Sequence, residues 1–276
     1  MDKNASLNYL AELVKNDRAS AVVIRPAIFV LSLHDHPQVI PLLTDLAGGE
    51  RYVDIRKSAA FWLGQIPLEA SFEALVRLFE KERNREMKQK LVFSIGQHKS
   101  EKVIDRLAKI AREENDFKVR EKAVFWLGQI EGEESLNVLL DLLKKSEDTE
   151  LKEKIVFSVS QHDSKRATNV LIEIAESDKN RDVRKKAIFW LGQKAGRKTL
   201  RALGNIVENA DETEVKTKAV FAISQHQDKD LAFQMLMDIA KQNPNPRVRK
   251  KAIFWMGQMG DERAVDFFKD ILTNND

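Results

Sequence analysis

The chain has 276 residues, 43% apolar and 32% charged, with 7% aromatics, 11 glycines, 6 prolines and no cysteine. Such a composition excludes a disordered chain, argues against a turn-rich β-sandwich, and removes disulfides, thiolate metal sites and cysteine nucleophiles. A net charge of +3, from 46 basic and 43 acidic residues, is low for a protein held to nucleic acid by charge alone.

The first segment, Met1 to Asn16, lacks the charged, apolar and small-residue layout of a signal peptide. No apolar run approaches the ~18 residues of a membrane span, so a cytoplasmic protein without a membrane partner is the expectation. A repeat then governs the chain. Phe29 sits in A-I-F-V-L-S-L-H, Phe61 in A-F-W-L-G-Q and Phe93 in V-F-S-I-G-Q-H; Phe125, Phe157, Phe189, Phe221 and Phe254 follow in like settings. The Phe-to-Phe spacing is 32 residues throughout, except for 33 at the last step. A constant period of this length is the signature of a solenoid.

A second beat of two repeats lies over the first. Trp62, Trp126, Trp190 and Trp255 directly follow the Phe of alternate units, and His34, His98, His162 and His226 stand five residues after the Phe of the others. Five residues before the Phe, Arg56, Lys88, Arg120, Lys152, Arg184, Lys216 and Arg249 alternate in step. This regularity points to growth by duplication of a two-unit block.

Each unit reads as two helices. Leu136, Leu139, Leu140 and Leu143 recur at helical spacing in the first helix of one unit; Val119, Ala123, Trp126 and Leu127 do so in the second helix of another. Asn84, Asp116, Asp148, Asn180 and Asn245, nine residues before their Phe, stand where an N-cap satisfies free backbone N–H groups. Each second helix is therefore expected to begin near eight residues before its Phe. Residues 1–50 form a divergent first unit, more acidic than basic, 51–258 seven regular units and 259–276 a C-terminal capping helix, all in one solenoid spanning 1–276.

The pattern V-R-x-x-A-x-x-x-L-G resembles the HEAT repeat, especially its short bacterial form, over roughly residues 20 to 272. Asp182, Val183, Arg184, Ala187, Leu191 and Gly192 form the cleanest copy, with Pro246 to Arg249 close behind. The first unit departs from it, with Leu33 where later units carry Gln. The resemblance implies an all-α, right-handed α-solenoid of about eight stacked helix pairs plus capping helices. It also implies that the second helices line a concave face, which in this family usually binds another macromolecule. HEAT-like deoxyhypusine hydroxylases use repeated His-Glu pairs for iron; here the pairs read His98-Lys99, His162-Asp163 and His226-Gln227. The functional residues of HEAT-like bilin lyase subunits and DNA glycosylases cannot be matched either.

Helical phase measured from Val119 puts Trp126 in the core, its indole N–H in need of a partner, and Phe125 on the opposite side. The row of Phe61, Phe93, Phe125, Phe157, Phe189, Phe221 and Phe254 then becomes the candidate binding surface. Gln65, Gln97, Gln129, Gln161, Gln193, Gln225 and Gln258 stand one turn beyond, and Lys90, Lys122, Lys154, Lys186, Lys218 and Lys251 three residues before. Two readings stay open: the row is an aromatic, amide and basic groove for a partner, or it packs successive units together.

No nucleophile elbow, zinc-protease motif, phosphate loop or dinucleotide fingerprint is present. The histidines, one per two units, are too far apart to share a metal; each ends a second helix, where a partly positive ring suits the helix dipole. His34 and His36 are close together but lack a third ligand. The expectation is a monomeric, non-enzymatic scaffold with a protein or peptide partner and no cofactor or metal. The alternatives are a single-stranded nucleic-acid-binding repeat protein and an accessory subunit of an enzyme such as a lyase-like complex.

Overall fold

The computed structural model describes residues 3–16 and 19–273. Among them lie seventeen α-helices and no strand. The odd helices are α1 (Lys3–Lys15), α3 (Val39–Gly48), α5 (Glu69–Lys81), α7 (Val103–Glu113), α9 (Glu133–Lys145), α11 (Lys165–Ser177), α13 (Arg197–Asn209), α15 (Lys229–Gln242) and α17 (Arg263–Thr273). The even helices are α2 (Ala21–Ser32), α4 (Val53–Gln65), α6 (Arg85–Gly96), α8 (Phe117–Gln129), α10 (Thr149–Gln161), α12 (Arg181–Gln193), α14 (Thr213–Gln225) and α16 (Pro246–Gln258). Every even helix starts eight residues before its Phe. The chain is an α-solenoid. Contacts divide it into two compact units, Met1–Leu142 and Leu143–Asp276.

The polar residues nine before the Phe are the N-caps. Asn84 accepts from the Met87 N–H at 3.0 Å, Asp116 from Lys118 at 2.9 Å, Asp148 from Leu151 at 3.1 Å, Asn180 from Asp182 at 2.9 Å and Asn245 from Arg247 at 2.9 Å. Two caps also tie neighbouring repeats together: the Asn180 amide donates to Thr149 Oγ1 at 2.8 Å and that of Asn245 to Thr213 Oγ1 at 2.9 Å. The cations five residues before the Phe bind the ends of the odd helices and the turns that follow them. Arg184 donates to the Asp178 carbonyl at 2.7 Å and pairs with Glu212 at 2.5 Å; Lys88 pairs with Glu114 at 2.7 Å; Arg249 donates to the Asn243 carbonyl at 2.9 Å. A cation there neutralises the negative end of the odd-helix dipole.

Within each unit an odd and an even helix pair through apolar faces, as α7 does with α8 and α11 with α12. Successive even helices also pack on one another, α4 with α6 and α12 with α14, more closely than successive odd helices do. Small residues three positions after the Phe permit this approach. A methyl group on Gly64 would meet Ser94 Cβ at 2.8 Å, and one on Gly192 would meet the Ala222 carbonyl oxygen at 2.8 Å. One on Gly96 would run into the Trp126 ring. The two-repeat beat thus has a steric cause: a small-on-small contact between even helices alternates with a Trp laid over a small residue.

Two sequence expectations need correction. Val119, Ala123, Val124 and Leu127 are fully buried, whereas Trp126 is half-buried. With buried Val124 and Gly128 counted, the core direction of α8 lies about 90° from Val119 and Trp126 about 110° from that direction, on the flank facing α6. Its ring lies 5.2 Å from Phe93 and 5.7 Å from Phe125, and its Nε1, like those of Trp190 and Trp255, is buried without a hydrogen-bond partner. The second correction concerns the histidines. His98 and His226 do end even helices, but they are buried, with both ring nitrogens hydrogen-bonded. The Ser100 N–H donates to His98 Nδ1 at 3.0 Å, leaving Nε2 to face the Ile66 carbonyl at 3.0 Å and the Ser71 hydroxyl at 2.9 Å. His226 repeats the pattern with the Asp228 N–H, the Gly196 carbonyl and Thr199. Burial pushes the His98 pKa down, against the opposing pull of the Ile66 carbonyl and Glu69. Each ring ties the end of an even helix to the start of its own odd helix.

Candidate binding surface

The Phe side chains lie on the side of each even helix turned away from the helix-pair core, Phe125 about 150° from the core direction. Phe61, Phe93, Phe125, Phe157, Phe189 and Phe221 are half-buried, and Phe254 is exposed. What shelters them is the neighbouring repeat. The Phe of each His-type helix packs against the Trp of the next even helix: Phe29 on Trp62 at 4.6 Å, Phe157 on Trp190 at 5.0 Å and Phe221 on Trp255 at 4.8 Å between centroids. Each Trp also meets its own Phe edge-on, as in Phe189–Trp190 at 5.0 Å and Phe254–Trp255 at 5.0 Å. The result is a set of three-ring clusters, each locking two even helices together while leaving ring surface exposed.

The lysines three residues before the Phe are half-buried and lie over these rings. Lys90 Nζ is 4.3 Å from the Phe61 centroid and 4.1 Å from that of Phe93; Lys218 bridges Phe189 at 5.1 Å and Phe221 at 4.9 Å. Lys122 lies 5.6 Å over Phe125, and Lys251 5.0 Å over Phe254 and 5.4 Å over Trp255. Lys186 instead pairs with Glu153 at 3.5 Å, and Lys154 is half-buried like the others. Burial, with Lys57 nearby, lowers the Lys90 pKa; burial, with Lys185 and Lys186 nearby, lowers that of Lys218. Neither has a carboxylate partner among the described residues, so each ammonium is held by ring faces.

All seven glutamines of the row are exposed. Gln65 donates to Gln97 across neighbouring helices at 3.4 Å, whereas Gln161 and Gln225 donate to the adjacent Ser160 and Ser224 at 3.2 and 3.1 Å. Among the described residues the side-chain amides of Gln129, Gln193 and Gln258 make no hydrogen bond and, on exposed residues, face solvent.

In the second unit the row opens into a groove of about 790 Å³ over α12, α14 and α16. Its walls include Phe189, Phe221, Lys186, Lys218 and Lys251 from the sequence-derived row. They also include Trp255, Asp182, Lys185, Glu214 and Thr217, which the sequence reading assigned elsewhere or passed over. For Trp255 the signal was present in the sequence: the run Ala252-Ile253-Phe254-Trp255-Met256 offers Ala252 and Met256 as a sufficient core face. Lys185 pairs with Asp182 at 2.9 Å and approaches Glu214 at 3.8 Å, and Glu214 also takes Arg181 at 3.2 Å.

The model of the HEAT repeat family matches residues 73–160, 168–241 and 200–276, and that of the PBS lyase HEAT-like repeat matches residues 55–81. The chain belongs to the HEAT-repeat family. No curated protein matches it in sequence. Among solved structures, the chain aligns along its whole length with 45% of a chain in the Kap95:Nup1 complex, at a TM-score of 0.60 and 12% identity. It aligns over 98% of its length with 35% of Kap121p, at 0.58 and 11%. It therefore spans less than half of either protein, and at such identity the likeness is one of fold alone. Human deoxyhypusine hydroxylase is covered over 97% of both chains, at a TM-score of 0.41 and 15% identity.

Proposed function

We propose that this protein is a non-enzymatic scaffold that holds a segment of a partner protein against the even-helix face, where the Phe, Lys and Gln side chains of successive repeats lie side by side. The observation that carries the reading is the partly exposed ring row, with ammonium groups held over it by ring faces and solvent-facing amides beside it. Aromatic surface, cations and free amides together suit a peptide chain, whose side chains cover rings and whose backbone pairs with amides. The tighter packing of even than of odd helices is what an inner, concave layer requires. Its α-solenoid neighbours by fold include a chain of the Kap95:Nup1 complex, itself a protein–protein assembly by name. Of the described histidines, His98 and His226 are committed to packing, which further supports a role without catalysis.

The test is affinity capture from the source cells with the wild-type chain and with Phe157→Ala and Phe221→Ala, after circular dichroism shows that the variants remain folded. Proteins retained by wild type and lost from both variants support the reading. Capture of nucleic acid or a small molecule in place of protein overturns it.

A further inference from the structure

The groove over α12, α14 and α16 has a charge pattern that restricts its occupant. Its carboxylates are already paired one to one: Glu153 with Lys186, Asp182 with Lys185 and Glu214 with Arg181. Lys218 and Lys251, by contrast, have no carboxylate among the described residues and rest on ring faces. The groove therefore offers two uncompensated positive charges, one per repeat, beside the apolar surface of Phe189, Phe221 and Trp255. Neighbouring packed helices stand ~8–10 Å apart. A peptide in the extended polyproline-II conformation advances ~3.1 Å per residue with three residues per turn, so three residues cover one helix-to-helix step and bring the side chain back to the same face.

We propose that the occupant of this groove is an extended acidic peptide segment of a partner protein, crossing the even helices with carboxylates at every third residue, one on Lys218 and the next on Lys251. This rests on the scaffold reading above and adds the partner's chemistry to it. The residues between the carboxylates lie over the Phe189, Phe221 and Trp255 rings. A carboxylate on Lys218 regains the favourable environment that the ammonium lacks beside Lys185 and Lys186. A polynucleotide fits less well, because its unbroken phosphate run meets Glu153 and Glu214 on the same wall. A peptide with acids at spaced positions avoids them.

Fluorescence anisotropy on the full chain tests this with four labelled probes of equal length. They are a peptide with Glu at every third residue and Leu or Phe between, the same peptide with Gln for Glu, one with Glu at every fourth residue, and single-stranded RNA. The first probe should bind best, weaken with added salt, and lose about tenfold or more in affinity to the double variant Lys218→Glu/Lys251→Glu. Lys218→Met/Lys251→Met keeps the aliphatic packing over the rings and should show the same loss if charge is the cause. Equal binding of the Glu and Gln peptides, still abolished by Phe221→Ala, overturns the acidic occupant and leaves the scaffold reading standing. Tighter binding of RNA than of any peptide overturns both. Binding of no probe overturns the acidic occupant, and the capture experiment then decides the scaffold reading on its own.

Discussion

Glycine three residues past the Phe decides how near two even helices come. At Gly192 a methyl group would meet the Ala222 carbonyl oxygen at 2.8 Å and its Cα at 2.9 Å, both backbone atoms that cannot step aside. Gly192→Ala is expected to destabilise by about 1–3 kcal/mol despite the better helix propensity of Ala, read as a lower denaturant midpoint. Gly257→Ala is the counter-case: its methyl would meet Phe268 carbons at 3.7 and 3.8 Å, an ordinary contact. There the propensity gain, up to about 1 kcal/mol, should raise the midpoint or leave it unchanged. A midpoint that falls equally in both variants would mean that the close approach is not what selects glycine. At the same scale, His98 makes stability depend on pH. Burial holds its folded pKa below the ordinary value of 6.5, so the unfolded chain binds the extra proton. The His98 contribution is complete above that value and is lost as pH falls below it toward the depressed folded pKa. Urea midpoints measured from pH 7.5 to 5 should decline, and His98→Gln should flatten that decline.

Each even helix has to start where its cap lies, and the cap is a single side chain. Asn84→Ala should cost about 1 kcal/mol of stability, the usual value of an N-cap. Asn180→Ala should cost more, because the Asn180 amide also donates to Thr149 of the preceding even helix at 2.8 Å. Comparing the two denaturant midpoints separates the cap from the inter-repeat bond. Helix positions were legible in the sequence because capping is local: Asp116, Asn180 and Asn245 cap the helices that the spacing assigns them. The facing of the helices was less legible. The core of α8 includes Val124, so its direction is set by the odd helix α7 and the even neighbour α6 together. A phase anchored on Val119 alone turned Trp126 inward. On α9, similarly, Leu142 is buried while Leu140 is half-buried. An amphipathic pattern marks one apolar stripe, but a solenoid helix packs on two or three neighbours, and the widened apolar arc blurs its centre.

Over the whole molecule, the repeats differ most at the N-terminal end. Where regular units carry Lys and Gln in the row, the first carries Pro26 on α2 and Leu33 just after it, both exposed, beside exposed Val22, Val23 and Val30. Leu33 is 66% exposed, so Leu33→Gln, which restores the regular residue, should leave stability within about 0.5 kcal/mol of wild type. A large loss would show that the side chain is covered in solution. The proposed binding row has a matching control on α14. Ile223, fully buried two residues after Phe221, faces the core, and Ile223→Ala should cost about 2–5 kcal/mol without a selective effect on partner affinity. Phe221→Ala should weaken partner affinity and, because its half-buried ring also packs on Trp255, cost less stability than Ile223→Ala; the two are compared by measuring affinity and unfolding midpoint on the same samples.

The repeat period, the all-helical class, the helix starts and the membership of the Phe, Lys and Gln row were determined by the sequence alone. Each follows from short-range rules, helical periodicity and capping, that act within one repeat and recur eight times. Only the tertiary structure decided which faces meet. It turned Trp126 and Trp255 from core residues into ring partners of Phe93 and Phe221, made His98 and His226 buried hydrogen-bonded ties between helices, and left Lys218 and Lys251 on ring faces while their neighbours found carboxylates. Those outcomes depend on residues one repeat away, brought together by the stacking of even helices. No pattern confined to a single helix encodes that distance.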